Sequence, residues 1–144
     1  MTVTFCAHAQ MENEAAVCFW LDETILKLCR EGAKEFLLGG YGHFDALAAS
    51  AVYRAKAQFG DILSILVLPY PDREFNPAFY DGSVYPPLEH VPRRYAISRR
   101  NQWMVERADI VVAYVSHHWG GAAKTYAYAI KKEKQVICFP NTNQ

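Results

Sequence analysis

Short apolar runs alternate along this chain with amphipathic stretches of helical spacing, and this alternation limits the fold more than any other sequence feature. Five apolar runs predict strands, at about residues 3–7, 35–38, 62–68, 109–115 and 135–139. Apolar residues at helical spacing predict the helices between them, at about 11–31, 44–59, 95–107 and 122–132. In the last helix the spacing places four residues on the buried face: Ala123, Tyr126, Ala127 and Ile130.

Strands that are apolar on both faces and alternate with helices form a parallel sheet covered on both sides. We therefore predict an α/β fold, a single Rossmann-like doubly wound domain over residues 1–144, with a mostly parallel five-stranded sheet flanked by helices. One connection interrupts the alternation, because residues 69–94 hold six of the seven prolines together with Phe75, Phe79, Tyr80 and Tyr85. Connections of this length are functional or disordered, and the aromatic residues favour an ordered flap.

Two glycine-rich turns follow predicted strands, at the edge where open α/β sheets bind ligands. Glycine allows a ligand to approach the backbone closely, and the helix N-terminus after each turn offers free N–H groups, so both turns favour a phosphate. The alternative is that each is only a tight turn, but two such turns at equivalent ends of one sheet favour binding. The glycines that would cradle phosphate groups are Gly39, Gly40, Gly42, Gly120 and Gly121.

Polar residues near these turns complete the candidate site. Asp45 begins a helix, where it either caps the helix or binds a ribose hydroxyl. Four arginines form a basic cluster: Arg93, Arg94, Arg99 and Arg100. We expect either Arg99 or Arg100 to neutralise phosphate charge. Aromatic residues of the flap and Trp119 either stack on a base or pack against the domain.

The pair His117-His118 is the only feature that suggests a metal, and no carboxylate or cysteine stands at ligand spacing nearby. We therefore interpret these histidines as structural or ligand-contacting residues. The sequence predicts no metal and no cofactor.

Three motifs follow one another along nearly the whole chain. They are the turn at residues 39–45 (Gly-Gly-Tyr-Gly-His-Phe-Asp), the block at 100–109 (Arg-Asn-Gln-Trp-Met-Val-Glu-Arg-Ala-Asp) and the pair at 120–121. In this order they resemble the SLOG superfamily, and within it the small stand-alone YpsA-like branch. The resemblance implies a Rossmann-like fold that binds nucleotides or nucleotide-derived ligands. It also places Asn101 near the cleft, with a helix cap or a turn contact as the alternative. Of the branch's Gly-His-Arg turn, this chain matches only the histidine, at His8.

The resemblance implies two competing functions. Related phosphoribohydrolases and nucleoside deoxyribosyltransferases carry a glutamate after the second glycine turn, where this chain has Ala127. Glycoside chemistry needs a carboxylate, so we favour binding of a small nucleotide-like ligand by a sensor or sequestering module. The alternative is a nucleotide N-glycosidase, like those phosphoribohydrolases or deoxyribosyltransferases, with Glu106 or Asp45 supplying the carboxylate. No catalytic residue is assigned.

The formal charges cancel, with 15 basic and 15 acidic residues, but they are unevenly distributed. Residues 1–92 hold 6 basic and 12 acidic side chains, whereas residues 93–144 hold 9 and 3, which suits a small anion in the C-terminal third. Zero net charge predicts no long nucleic acid and no membrane as a partner. A homodimer is an open alternative, in which an exposed aromatic residue of the first helix, such as Phe19, would form the contact. Four cysteines without a Cys-x-x-Cys pair, and no signal peptide, predict the cytoplasm.

Overall fold

The structure, a computed structural model, describes residues 1–71 and 78–140. Phe75 of the predicted flap lies outside the described residues. The elements in chain order are β1 (Thr2–Ala7), α1 (Glu14–Arg30), β2 (Glu35–Leu38), α2 (His43–Ala55), β3 (Leu63–Val67), β4 (Gly82–Val84), a 3-10 turn (Arg93–Tyr95), α3 (Ala96–Arg107), β5 (Ile110–Tyr114), α4 (Gly121–Lys131) and β6 (Gln135–Cys138).

All described strands run parallel in one sheet, in the order β4-β3-β2-β1-β5-β6. The chain builds the sheet outward from β1 to β4 and then crosses back, so that β5 pairs with the other side of β1. The order of the strands therefore reverses between β1 and β5, which is where sheets of this kind open a crevice. The predicted α/β fold is confirmed, with six strands instead of five.

The additional strand, β4, lies inside the predicted flap. Its sequence is Gly-Ser-Val, too short and too polar to predict a strand. Polar contacts attach it to the edge of the sheet: the Asp81 carboxylate accepts hydrogen bonds from Ser64 N–H at 2.8 Å and from Lys56 Nζ at 2.6 Å. Asp81 N–H in turn donates to the Ser64 carbonyl oxygen at 2.8 Å. An edge strand anchored in this way needs no apolar run.

Helices cover both faces of the sheet. Helices α1 and α2 bury Val17, Leu21, Ile25 and Phe44 against one face, in a core shared with apolar residues of β1, β2 and β5. Helices α3 and α4 cover the other face in two smaller clusters, one around Val105 and Ala129 and one around Met104. Within the described residues, no helix combines the length and apolar character needed to cross a membrane.

The predicted buried face of α4 is partly wrong. Thr125 and Ala129 are buried, and Tyr126 packs against the core beside them, whereas Ala127 is exposed and Ile130 is 51% exposed. The helix is rich in alanine, so its apolar pattern fits more than one face. The small side chains of Thr125 and Ala129 face the sheet, and the larger Ile130 points away from it.

A matched pair of substitutions tests this packing. Ile25 is fully buried in α1. We expect Ile25→Ala to lower the free energy of unfolding by about 2–5 kcal/mol, because it removes buried methyl groups and leaves a cavity. Ile130→Ala should cost less than about 1 kcal/mol, since that side chain is largely in solvent. Urea unfolding measures both, and equal losses would contradict the packing of α4.

Candidate functional site

A cleft of about 460 Å³ opens at the carboxyl ends of β1 and β5. Six of the predicted binding residues line it, namely His8, Asp45, Arg100, Asn101, Gly120 and Gly121, together with the two further candidates His117 and Trp119. Four other selected residues do not line it: Gly39, Gly40, Gly42 and Arg99. The order of the strands explains this grouping, because the lining residues follow β1 and β5 or lie on α2, α3 and α4 beside those strand ends.

Arg100, on α3, is almost completely buried, with 2% of its surface exposed. Its Nη1 donates hydrogen bonds to the carbonyl oxygens of Gly39 at 2.8 Å and Val67 at 2.9 Å, and its Nε donates to Asn101 Oδ1 at 2.9 Å. These carbonyls stand at the carboxyl ends of β2 and β3. The side chain therefore ties α3 to two neighbouring strand ends, while the exposed Arg99 makes no such link.

Asp45 lies in the first turn of α2, where its Oδ2 accepts a hydrogen bond from Tyr41 N–H at 3.0 Å. Burial raises the pKa of this carboxyl to about 6, against the opposing effects of the Tyr41 N–H and the Arg100 charge. A carboxylate at a helix N-terminus takes the position that a bound anion would otherwise prefer. The first glycine turn thus holds an acidic group of the protein itself.

Positive backbone φ angles and internal contacts explain the glycines of the first turn. Gly40 has φ +65°, and a Cβ atom there would lie 2.6 Å from Leu66 Cδ1. Gly42 has φ +89°, and its Cβ would lie 3.1 Å from Ala9 Cα. Ala9 also accepts a hydrogen bond from His43 N–H through its carbonyl oxygen, at 3.3 Å. Here glycine lets one part of the chain approach another.

The second glycine turn has the opposite surroundings. Gly120 also has a positive φ, +91°, but a Cβ atom at Gly120 or Gly121 would meet no atom of the described residues within 4 Å. Helix α4, which starts there, has no side-chain cap and no acidic residue in its first turn. Its first three N–H groups, from Gly121 to Ala123, have no hydrogen-bond partner among the described residues. These N–H groups form an open, uncompensated helix N-terminus beside the cleft.

A stack of three rings stands at the β1–β5 junction. The ring centroids of His8 and His117 are 3.6 Å apart and those of His117 and Trp119 are 3.8 Å apart. His8 Nε2 accepts a hydrogen bond from Ser116 N–H at 3.0 Å, so this ring is neutral. Burial and the neighbouring His117 lower the pKa of His8, which favours the same form. Sequence analysis missed the stack, although both histidines follow strands that pair in a Rossmann-like sheet.

The remaining candidates lie elsewhere. Glu106 is exposed and accepts a hydrogen bond from the Tyr128 hydroxyl, away from the cleft lining. Tyr80 packs against the larger core. In residues 1–71 and 78–140 no group of three or more histidine, cysteine or acidic side chains is arranged to hold a metal. Among the described residues that line this cleft, Asp45 is the one that carries a carboxyl group.

Arg100 and Arg99 offer a matched test of the buried guanidinium. Arg100→Met removes the donor to two strand-end carbonyls, so we expect the free energy of unfolding to fall by about 2–4 kcal/mol. Arg99→Met, one residue away and exposed, should change it by less than about 0.5 kcal/mol. Urea unfolding of both variants measures the two losses. A small loss in Arg100→Met would contradict the claim that this guanidinium stabilises the fold.

The raised pKa of Asp45 predicts a pH-dependent stability. A carboxyl that titrates higher in the folded than in the unfolded protein binds more protons when folded, so its contribution to stability falls as pH rises from about 4 to 7. Asp45→Asn keeps an acceptor for Tyr41 N–H and removes the titration. The variant should therefore gain stability relative to the parent, by up to about 3 kcal/mol between pH 4 and pH 7. A difference that stays constant over this range would exclude a raised pKa.

Comparison of the sequence with family models and with curated proteins gives no match. Solved structures do match the fold. DNA processing protein A from Helicobacter pylori is 16% identical, with a TM-score of 0.72 over 100% of this chain and 67% of that one. The protein of the same name from Streptococcus pneumoniae is 17% identical, with a TM-score of 0.70 over 99% of this chain and 51% of that one. The molybdenum cofactor carrier protein from Chlamydomonas reinhardtii is 18% identical, with a TM-score of 0.62 over 95% and 74%.

One expectation from the sequence is corrected by these matches. The Helicobacter pylori protein has a single-stranded DNA binding mode, so the prediction of no long nucleic acid partner is wrong. It failed because it averaged charge over the whole chain, whereas the basic excess lies in residues 93–144. At these identities the likeness establishes the fold alone, and the chain shares the Rossmann-like fold of these proteins.

Proposed function

We propose that the cleft binds a small phosphate-bearing ligand of the nucleotide type, with a phosphate at the N-terminus of α4. The observation that carries this proposal is the open turn at Gly120 and Gly121, where three N–H groups have no partner in the described part of the chain. Such a terminus carries a partial positive charge and attracts anions. No acidic side chain of the first turn of α4 competes for it.

Other residues of the site take supporting roles. Arg100 lines the cleft but is assigned no phosphate contact, because its guanidinium is committed to the Gly39 and Val67 carbonyls. Asp45 and Asn101 line the cleft and are the candidates for a ribose hydroxyl. We assign one phosphate position, at α4, because Asp45 and Ala9 already occupy the N-terminus of α2.

The biological role in this proposal follows the resemblance to the YpsA-like branch of the SLOG superfamily. The chain would act as one domain that senses or sequesters its ligand in the cytoplasm. Phe19, 69% exposed on α1, gives a second copy an apolar contact if the protein dimerises.

Substitution of Gly121 tests the phosphate position. Gly121→Asp places a carboxylate where the phosphate would bind, and the fold tolerates it because the position is open and acidic residues suit a helix N-terminus. We expect the affinity for ADP and for inorganic pyrophosphate, measured by titration calorimetry, to fall by about tenfold or more. Gly121→Ala is the control and should bind within about threefold of the parent. Unchanged binding by the aspartate variant, or no binding by the parent, would refute the proposal.

A second candidate function is binding of single-stranded nucleic acid, favoured by a basic and aromatic surface around the 3-10 turn that precedes α3. Arg93 lies 4.2 Å above the Tyr70 ring and Arg94 lies 4.7 Å above the Tyr95 ring. Neither arginine forms an ion pair with a carboxylate of the described residues. Exposed arginines interleaved with rings are typical of surfaces that bind single strands by phosphate contacts and base stacking, and one protein of this fold has a single-stranded DNA binding mode.

The salt dependence of the affinity tests whether single-stranded nucleic acid binds at this surface or is attracted by positive charge anywhere on the protein. With a labelled oligothymidylate, fluorescence anisotropy should show binding that weakens steeply with salt. The double variant Arg93→Gln with Arg94→Gln should reduce the slope of log affinity against log salt by about 2. Lys27→Gln with Arg30→Gln removes the same charge from the C-terminal end of α1 and should leave the slope unchanged. Equal effects of the two double variants would reject this function.

A further inference from the structure

A second cleft, of about 680 Å³, opens beside the N-terminus of α1. It is lined by residues 10–13 and 114–117, together with Ala16, Phe139 and Pro140. Of the residues considered in the sequence analysis, His117 lines it, and the predicted phosphate-binding residues do not. Its size falls within the range of about 300–1,000 Å³ that is typical of small-molecule sites.

The walls of this second cleft suit a flat, uncharged group. Tyr114 and Phe139 form an aromatic wall, with ring centroids 5.4 Å apart, and Met11 and Ala16 add apolar surface. Polar residues line the rest of the cleft, including Gln10 and Glu12, and among the described lining residues there is no lysine or arginine. A planar ring that carries N–H donors suits both parts of this cleft. Its face packs against the aromatic wall, and its N–H groups donate to the Glu12 carboxylate, which only accepts hydrogen bonds.

The same walls disfavour a phosphate. The N-terminus of α1 is already capped by Asn13, whose Oδ1 accepts a hydrogen bond from Ala16 N–H at 3.4 Å. Glu14 follows in the first turn, with its carboxylate 3.0 Å from His43 Nε2. Acidic groups therefore surround this helix terminus, whereas the first turn of α4 has none. The two clefts differ in charge, and only the α4 side fits an anion.

The two clefts meet at shared residues. Gln10 and His117 line both of them. The Nδ1 atom of His117 is buried and has no hydrogen-bond partner in the described part of the chain. A ligand that extends from one cleft into the other would pass Gln10 and His117. The cleft beside α4 is the one that suits an anion, the second cleft is aromatic and acidic, and the two share Gln10 and His117.

We propose that the second cleft is a base subsite, and that the ligand is a nucleotide whose base occupies it while its phosphate binds at α4. This inference rests on the proposed function for the phosphate position and adds the chemical class of the rest of the ligand. The base is one that presents N–H donors to the Glu12 carboxylate and a flat face to Tyr114 and Phe139.

Three probes separate the two subsites: guanosine 5′-monophosphate, guanosine and ribose 5-phosphate, each titrated calorimetrically into the full chain. Guanosine 5′-monophosphate should bind about tenfold or more tightly than ribose 5-phosphate. Ala16→Phe fills the second cleft, so it should abolish this advantage and leave ribose 5-phosphate within about twofold. Ala15→Phe, at the exposed neighbouring position outside the lining, is the control and should preserve the advantage. Thermal unfolding confirms that both variants fold.

The outcomes distinguish the two proposals. If the nucleotide and ribose 5-phosphate bind equally, or if Ala16→Phe weakens both alike, the base subsite is refuted and the phosphate position stands. If guanosine binds and loses affinity in Ala16→Phe while ribose 5-phosphate does not bind, the phosphate position is refuted and the base subsite stands. If no probe binds, both are refuted.

Discussion

The geometry of the predicted site depends on one buried cation, Arg100. A guanidinium removed from water must find its hydrogen bonds inside the protein, and here it takes them from the carbonyls that end β2 and β3. That requirement holds α3 against two strand ends and places the charge beside the first glycine turn and Asp45. Asp45 and the Ala9 carbonyl occupy the first turn, so the N-terminus of α4 is the position that we propose for the phosphate.

Sequence reasoning identified the elements that are buried on both faces. Every residue of β5 is buried, so its apolar run indicated a central strand without ambiguity. It could not identify β4, because Gly82–Val84 lies at the edge and is anchored through the polar contacts of Asp81 with Lys56 and Ser64. It also placed Ile130 on the wrong face, since an alanine-rich helix carries too little contrast between its sides to indicate which one packs.

The chemistry of the site was less predictable, because it depends on contacts between distant residues. Gly42 and Gly120 look alike in the sequence, and both have a φ near +90° before a helix. Ala9 packs against Gly42, whereas no part of the described chain packs against Gly120, and this difference has no counterpart in the local sequence pattern. The His8–His117 stack likewise joins residues 109 positions apart in the sequence and follows from the pairing of β1 with β5.

Backbone amide NMR of the glycine-labelled protein tests the central claim most directly, since the chain has only 8 glycines. Inorganic pyrophosphate is added, and the amide shifts of the two glycine turns are followed together. The account predicts that Gly120 and Gly121 shift most, while Gly40 and Gly42 stay nearly unchanged. Shifts concentrated at Gly40 and Gly42, with Gly120 and Gly121 unmoved, would contradict it.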